Sequence, residues 1–109
     1  MSETPQFVQV TTSTGGLDEA QHIARLLVEE KLAACAQVVG PIRSTYWWRG
    51  AIETAEEYLL FLKTTHAACE HVVKSIRRNH SFDTPEIICT PIVAGDESYL
   101  AWLRETVEV

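Results

Sequence analysis

The spacing of apolar and polar residues divides the chain into strands and helices. Apolar residues three and four positions apart are typical of an amphipathic helix, whereas alternating or continuous apolar stretches are typical of strands. The predicted elements, in chain order, are a strand at Gln6–Thr12, a helix at Leu17–Lys31, a long hairpin at Ala33–Thr65, a helix from about His66 to Asn79, a strand at Glu86–Val93 and a short helix from Gly95–Ser98. This β-α-β-β-α-β order predicts an α+β, ferredoxin-like sandwich with a short C-terminal helix.

The hairpin is the longest predicted element, and it is expected to project from the domain. Arg49-Gly50 is the expected turn, because glycine tolerates the positive φ of a tight hairpin. An arm of fifteen residues is about 50 Å long, which exceeds what two helices of a small domain can cover. The residues predicted to form an interface with another chain are the tip aromatics Tyr46, Trp47 and Trp48.

Two prolines support the strand order that this fold implies. A ferredoxin-like sheet has the order 4-1-3-2, so its second and fourth strands are edges. Proline cannot donate to a sheet ladder, and Pro41 and Pro91 fall in those two strands. The helices cover one face of such a sheet, and an apolar opposite face needs a second layer from another chain. The sequence therefore predicts an obligate homo-oligomer.

Length and charge narrow the function classes. The 109 residues predict a single domain over 1–109, with 1–5 as a loose leader. A net charge of −6 argues against nucleic-acid binding, which depends on basic patches. No apolar run is long enough to span a membrane, and the N-terminal MSETPQF does not resemble a signal peptide. We therefore expect a cytoplasmic protein.

The cysteines and histidines contain no familiar motif. Cys35, Cys69 and Cys89 are odd in number and lack a CxxC pair, so we expect three buried thiols rather than a disulfide framework or a thiolate zinc site. Three of the histidines are expected to be exposed to solvent, namely His22, His66 and His71. Because no nucleophile–base pair or phosphate-binding loop is discernible, we expect no enzyme activity and no required cofactor.

Five stretches of the sequence resemble one protein family. They are EKLAACAQV (Glu30–Val38), STYWWRGAIE (Ser44–Glu53), LKTT (Leu62–Thr65), HSFDTPEII (His80–Ile88) and PIVAGDESYLAWL (Pro91–Leu103). Together they are similar to the CutA divalent-cation-tolerance proteins. The resemblance covers nearly the whole chain from Phe7 onward and implies a homotrimer involved in tolerance of copper and other divalent cations.

The resemblance also implies a metal site. The copper ligands proposed for the family are a cysteine ending the first strand, a histidine before the fourth strand and a glutamate starting it. His80 and Glu86 match the last two, whereas Thr11 occupies the cysteine position. A threonine hydroxyl is a poor ligand for copper, so weak binding of copper or zinc is expected.

Two other interpretations remain open. His80 can instead end the preceding helix and pair with Asp83, without any metal. The family also looks like PII signalling proteins, which implies that a cleft between subunits holds a nucleotide or small anion. The residues expected around that cleft are Arg43, Trp48 and Lys63.

Overall fold

The computed structural model describes residues 4–109 and has the predicted order of elements. They are β1 (Phe7–Thr14), α1 (Leu17–Glu29), β2 (Cys35–Trp48), β3 (Ala51–Thr65), α2 (Cys69–Asn79), β4 (Ile87–Ile92) and α3 (Glu97–Thr106). Residues 1–3 of the predicted leader lie outside the described residues, and Thr4 and Pro5 precede β1.

The four strands form one antiparallel sheet in the order β2-β3-β1-β4, as predicted. β1 and β3 are central, and each edge strand carries one proline, Pro41 in β2 and Pro91 in β4. The pairing of β2 with β3 shifts register between Val39 and Ile42, where Gly40-Pro41 interrupts the ladder. The prolines therefore lie where a missing N–H donor is tolerated.

The main core lies between the sheet and the helices α1 and α2. Along β1 and β3, every second side chain points toward these helices, as the pleat of a strand requires. Fully buried residues in this layer include Val10, Leu60 and Leu62 of the strands. The helices contribute Ile23, Leu27, Val72 and Ile76. A second cluster joins α3 to the base of the sheet through Phe7, Ala34, Ala68, Leu103 and Val107.

The other side of the sheet, which we call the open face, contains the cross-strand neighbours Thr11, Phe61 and Ile88. Val39 lies on the same side, because its partner Leu59 is two residues from Phe61. Val39 and Ile88 are 47% and 50% exposed. The open face thus leaves large apolar side chains partly in solvent, beside polar residues such as Thr11 and Ser13.

The hairpin has the predicted turn and an exposed tip. Arg49 and Gly50 adopt φ values of 50° and 81° between β2 and β3. Both values lie in the left-handed region, which glycine occupies without a steric penalty. Trp47 is 71% exposed and Ile52, its cross-strand partner, is 63% exposed. Large apolar side chains therefore cluster at the end of a ribbon of only two strands.

Two element boundaries differ from the prediction near α1. β1 continues to Thr14 because Ser13 and Thr14 pair with Leu59 and Tyr58 of β3. α1 ends at Glu29, and Lys31 lies beyond it with a φ of 58°. The predicted helix end at Lys31 is therefore wrong by two residues. The ammonium of Lys31 instead lies 3.3 Å from the carboxylate of Glu108.

The second helix begins later than predicted, at Cys69 instead of His66. Residues 66–68 form a turn whose end is held by Thr65, since its Oγ1 accepts the Ala68 N–H at 3.2 Å. Thr64 faces away from this turn, and its hydroxyl donates to the carbonyl of Leu32. Thr65 therefore caps the turn that precedes α2 and not α2 itself.

The burial of the cysteines was predicted wrongly. Cys89 is exposed, and Cys35 and Cys69 are half-buried. Cysteine behaves as a small apolar residue, but these three lie on edge strands or at a helix end, where the core layer is incomplete. The prediction for the three histidines is confirmed, since His22, His66 and His71 are all exposed.

Candidate functional site

The candidate site lies in the loop between α2 and β4. His80 ends α2, and its side chain is fully buried against the end of β1. Its Nε2 lies 2.7 Å from the carbonyl oxygen of Ser13, and the Phe82 N–H donates to its Nδ1 at 3.1 Å. A carbonyl can only accept, so the ring carries its proton on Nε2 and a lone pair on Nδ1.

This arrangement gives His80 a structural role. The imidazole joins the loop after α2 to the central strand β1, across 67 positions of sequence. The ring of Phe82 packs beside it, with 4.8 Å between ring centroids. Both ring nitrogens therefore already have partners in the protein, and a metal can reach the Nδ1 lone pair only by displacing the Phe82 N–H.

Glu19, in the first turn of α1, is the carboxylate next to His80 that sequence reasoning missed. Its Oε2 lies 3.8 Å from Nδ1 of His80 and accepts the Ser81 N–H at 2.7 Å. Its Oε1 accepts the Ser81 hydroxyl at 3.0 Å. The prediction that Asp83 pairs with His80 is wrong, because Glu19 occupies that place. No local pattern links residues 62 positions apart.

Thr11 and Glu86 lie near one end of the open face. Thr11 is half-buried on β1, directly opposite Ile88 of β4. Glu86 is exposed and lies just before β4, two residues from Ile88. Within residues 4–109, however, no three His, Cys, Asp or Glu side chains are grouped closely enough to hold a metal ion.

The residues of the alternative cleft are not brought together within one chain. Trp48 lies opposite Ala51 at the hairpin tip, and Lys63 lies twelve residues further along β3, about 40 Å away. Arg43 is opposite Glu56, between these two ends. The Lys63 ammonium donates to the side chain of Gln37, and the guanidinium of Arg49 lies 5.4 Å from the Trp48 ring centroid.

Comparison with known proteins identifies the fold and the family. The crystal structure of CutA1 from the psychrotrophic bacterium Shewanella sp. SIB1 superposes with a TM-score of 0.95 at 30% identity, over 98% of this chain and 100% of that one. A model of the CutA1 divalent ion tolerance protein family matches residues 8–106. The chain belongs to this family.

Individual relatives agree with this assignment. The divalent-cation tolerance protein CutA of Archaeoglobus fulgidus is 40% identical over 102 residues, which cover 94% of this chain and 97% of that protein. A chloroplastic CutA 1 of Oryza sativa is 34% identical over 96% of this chain. The chain spans 59% of the length of the rice protein and 58% of that of its Arabidopsis thaliana counterpart. No helix among residues 4–109 is long and apolar enough to cross a membrane.

Proposed function

We propose that this CutA1 family member acts in the response to divalent metal ions as a homotrimer. The observation that carries the proposal is the match to the divalent ion tolerance family over nearly the whole chain. Relatives of similar length carry the same name, among them the Archaeoglobus protein. The proposed role is binding rather than catalysis. A cytoplasmic location is part of the proposal, although solved and curated relatives are described as periplasmic and chloroplastic.

Two surfaces of the subunit support assembly with further copies. The open face contains Val39 and Ile88, each about half exposed, and the hairpin tip contains Trp47 and Ile52. Large apolar side chains exposed at both places are typical of surfaces that another chain covers, and tryptophan is enriched at interfaces. In the proposed trimer the hairpin of one subunit lies against the sheet of the next.

Metal binding is proposed to be weak and to use His80 and Glu86. The Nδ1 lone pair of His80 faces an exposed loop, and the Glu19 carboxylate lies 3.8 Å away. Imidazole and carboxylate together suit Cu(II) and Zn(II), but a thiolate ligand is missing because residue 11 is threonine. Binding must also displace the hydrogen bond from Phe82, which costs about 1 kcal/mol.

Sedimentation equilibrium tests the assembly, and calorimetric titration tests the metal site. The expected mass is three times that of one chain, and a monomer at micromolar concentration would overturn the trimer. Titration with Cu(II) and Zn(II) should show weak binding that Glu86→Gln lowers. Glu97→Gln, an exposed glutamate at the start of α3, is the matched control.

Thr11→Cys provides a gain-of-function test at the same site. Adding a thiolate on the open face should tighten copper binding, because thiolate is a strong soft ligand. If copper affinity stays unchanged in Thr11→Cys and also in Glu86→Gln, the metal does not bind at this end of β1. The proposed function would then have to rest on another site or on an indirect role in tolerance.

A further inference from the structure

Two thiols meet at the other end of α2, away from His80. Cys69 is the first residue of α2, and Cys89 lies in the edge strand β4, opposite Val10 of β1. Their Sγ atoms are 2.7 Å apart, although the residues are 20 positions apart in sequence. Two sulfur atoms in ordinary van der Waals contact lie further apart than this. The fold therefore holds these two free thiols within reach of bond formation.

The thiol pair can be reached from solvent. Both cysteines line an open cleft of about 910 Å³, between the chain before β1, strand β4 and helix α3. His66, Phe7 and Leu100 line the same cleft. Because Val10, the neighbour of Cys89, belongs to the core beneath the helices, the pair lies on the opposite side of the sheet from the open face. The proposed assembly surface on the open face therefore does not include the thiol pair.

The two thiols differ in their surroundings. Cys69 lies at the N-terminus of a helix of 11 residues, where the helix dipole favours a negative charge. The pKa of the Cys89 thiol is raised to about 12 by its partial burial, by its hydrogen bond with Cys69 and by the negative charge of an ionised Cys69. Cys89 therefore stays protonated at neutral pH and can donate its S–H to Cys69.

We propose that Cys69 and Cys89 are a reversible dithiol–disulfide pair that reacts with a small peroxide. The Cys69 thiolate attacks one peroxide oxygen, the O–O bond breaks, and the product is a sulfenic acid plus one water after protonation. Formation of the neutral sulfenic acid removes the negative charge on Cys69 that held the Cys89 proton. The Cys89 sulfur then attacks the Cys69 sulfur, the S–OH bond breaks, and the Cys89 proton passes to the departing hydroxide, which leaves as a second water. The two thiols together lose two protons and two electrons, and hydrogen peroxide takes them up to give two waters. A dithiol reductant reverses the change.

Peptide mapping of the full chain tests this proposal directly. Trypsin cleaves after Lys and Arg, so Cys35, Cys69 and Cys89 fall in separate peptides, 32–43, 64–74 and 79–104. The reduced protein is treated with one equivalent of hydrogen peroxide under native conditions. The expected result is the loss of two hydrogens from the intact mass and a link between peptides 64–74 and 79–104. Dithiothreitol should restore the original mass and break the link.

Variants separate the roles of the three cysteines. Cys35→Ser is the matched control and should form the link as the wild type does. In Cys89→Ser the sulfenic acid on Cys69 has no partner, so dimedone should label peptide 64–74. In Cys69→Ser, dimedone labelling of peptide 79–104 should be much weaker.

Three results would overturn the proposal. One is an unmodified Cys69–Cys89 pair in the wild type while Cys35 oxidises. Another is a disulfide between chains instead of within one chain. The last is equal dimedone labelling of the two single variants, which would remove the distinct role assigned to Cys69. The peptide map of the wild type shows whether Cys69 and Cys89 become linked, even if a variant fails to fold.

Discussion

The two halves of β3 experience different environments although they belong to one strand. From Glu57 to Thr65 every side chain is buried or half-buried, and Leu60 and Leu62 are fully buried. From Ala51 to Glu56 nearly all are exposed, and Ile52 reaches 63%. Both halves pair with β2 along their length. Strand pairing alone therefore does not create a core.

The difference arises from the layers around each half. Strand β1 pairs with β3 only from Tyr58 to Thr65, and the helices pack on that part of the sheet. Beyond it the hairpin is a ribbon of two strands, which is marginally stable in water by itself. The inner half is thus stabilised within the subunit, whereas the outer half provides apolar surface for a partner.

The largest expected effect follows from truncating the inner half. Leu62→Ala removes a fully buried side chain from the main core and should lower the free energy of unfolding by about 3 kcal/mol. Urea denaturation measures this. Val93→Ala is the control, since Val93 is 91% exposed and should change stability by less than about 0.5 kcal/mol. Similar losses in both variants would contradict the tight packing of the inner half.

Truncating the outer half should weaken assembly rather than the subunit. Trp47→Ala removes the most exposed tryptophan of the tip and should raise the dissociation constant of the oligomer by about 30-fold, the effect of a typical interface hot spot. Sedimentation over a concentration series measures this. Trp102→Ala, on α3, is the matched control because Trp102 is also partly exposed. An unchanged association in Trp47→Ala would mean that the tip is not an interface.

The contacts of His80 connect the loop after α2 to the sheet, and substituting His80 measures how much they stabilise the protein. His80→Ala removes the contacts with Ser13 and Phe82 and should cost about 2 kcal/mol of stability. The measurement is made in the presence of a chelator, so that any metal effect is excluded. The control is His71→Ala, at an exposed histidine within α2, and it should have almost no effect. A loss of stability in His80→Ala that appears only when metal is present would contradict the structural role of His80.

The smallest expected effect concerns Asp96, the N-cap residue of α3. Hydrogen bonds from Ser98 and the Tyr99 N–H lower the pKa of Asp96 below its ordinary value. A carboxyl with a lower pKa in the folded state stabilises the protein above its unfolded pKa, and this contribution is lost as pH falls through the folded pKa. Asp96→Ala should therefore lower Tm slightly at pH 7 and hardly at all in acid. A Tm difference that grows in acid would contradict this sign.

Much of the fold was predictable because it depends on local signals. The Arg49-Gly50 turn follows from the backbone freedom of glycine, and the edge positions of Pro41 and Pro91 follow from a missing donor. The helix boundaries were less predictable. Thr65 and Ala68 form a turn before α2, and sequence spacing does not distinguish that turn from a first helical turn.

The candidate site was predictable only in part. His80 and Glu86 were identified through the family resemblance, and the metal role of both remains a prediction. The bond between His80 and Ser13, and the position of Glu19 beside them, were not foreseen. The hydrogen-bond partners of a histidine are the groups that the fold places beside it. No spacing in the sequence therefore indicates which carboxylate or carbonyl lies next to His80.

The sequence by itself determined the order of strands and helices and the hairpin turn, because each depends on residues close together in the chain. Pro41 and Pro91 also marked the edge strands, because a proline cannot donate to a sheet ladder. Only the tertiary structure decided which distant groups meet, such as the thiols of Cys69 and Cys89. It also decided which half of β3 is buried. Such contacts depend on sheet register and on helix docking, and a shift of one residue in register would separate every one of these pairs.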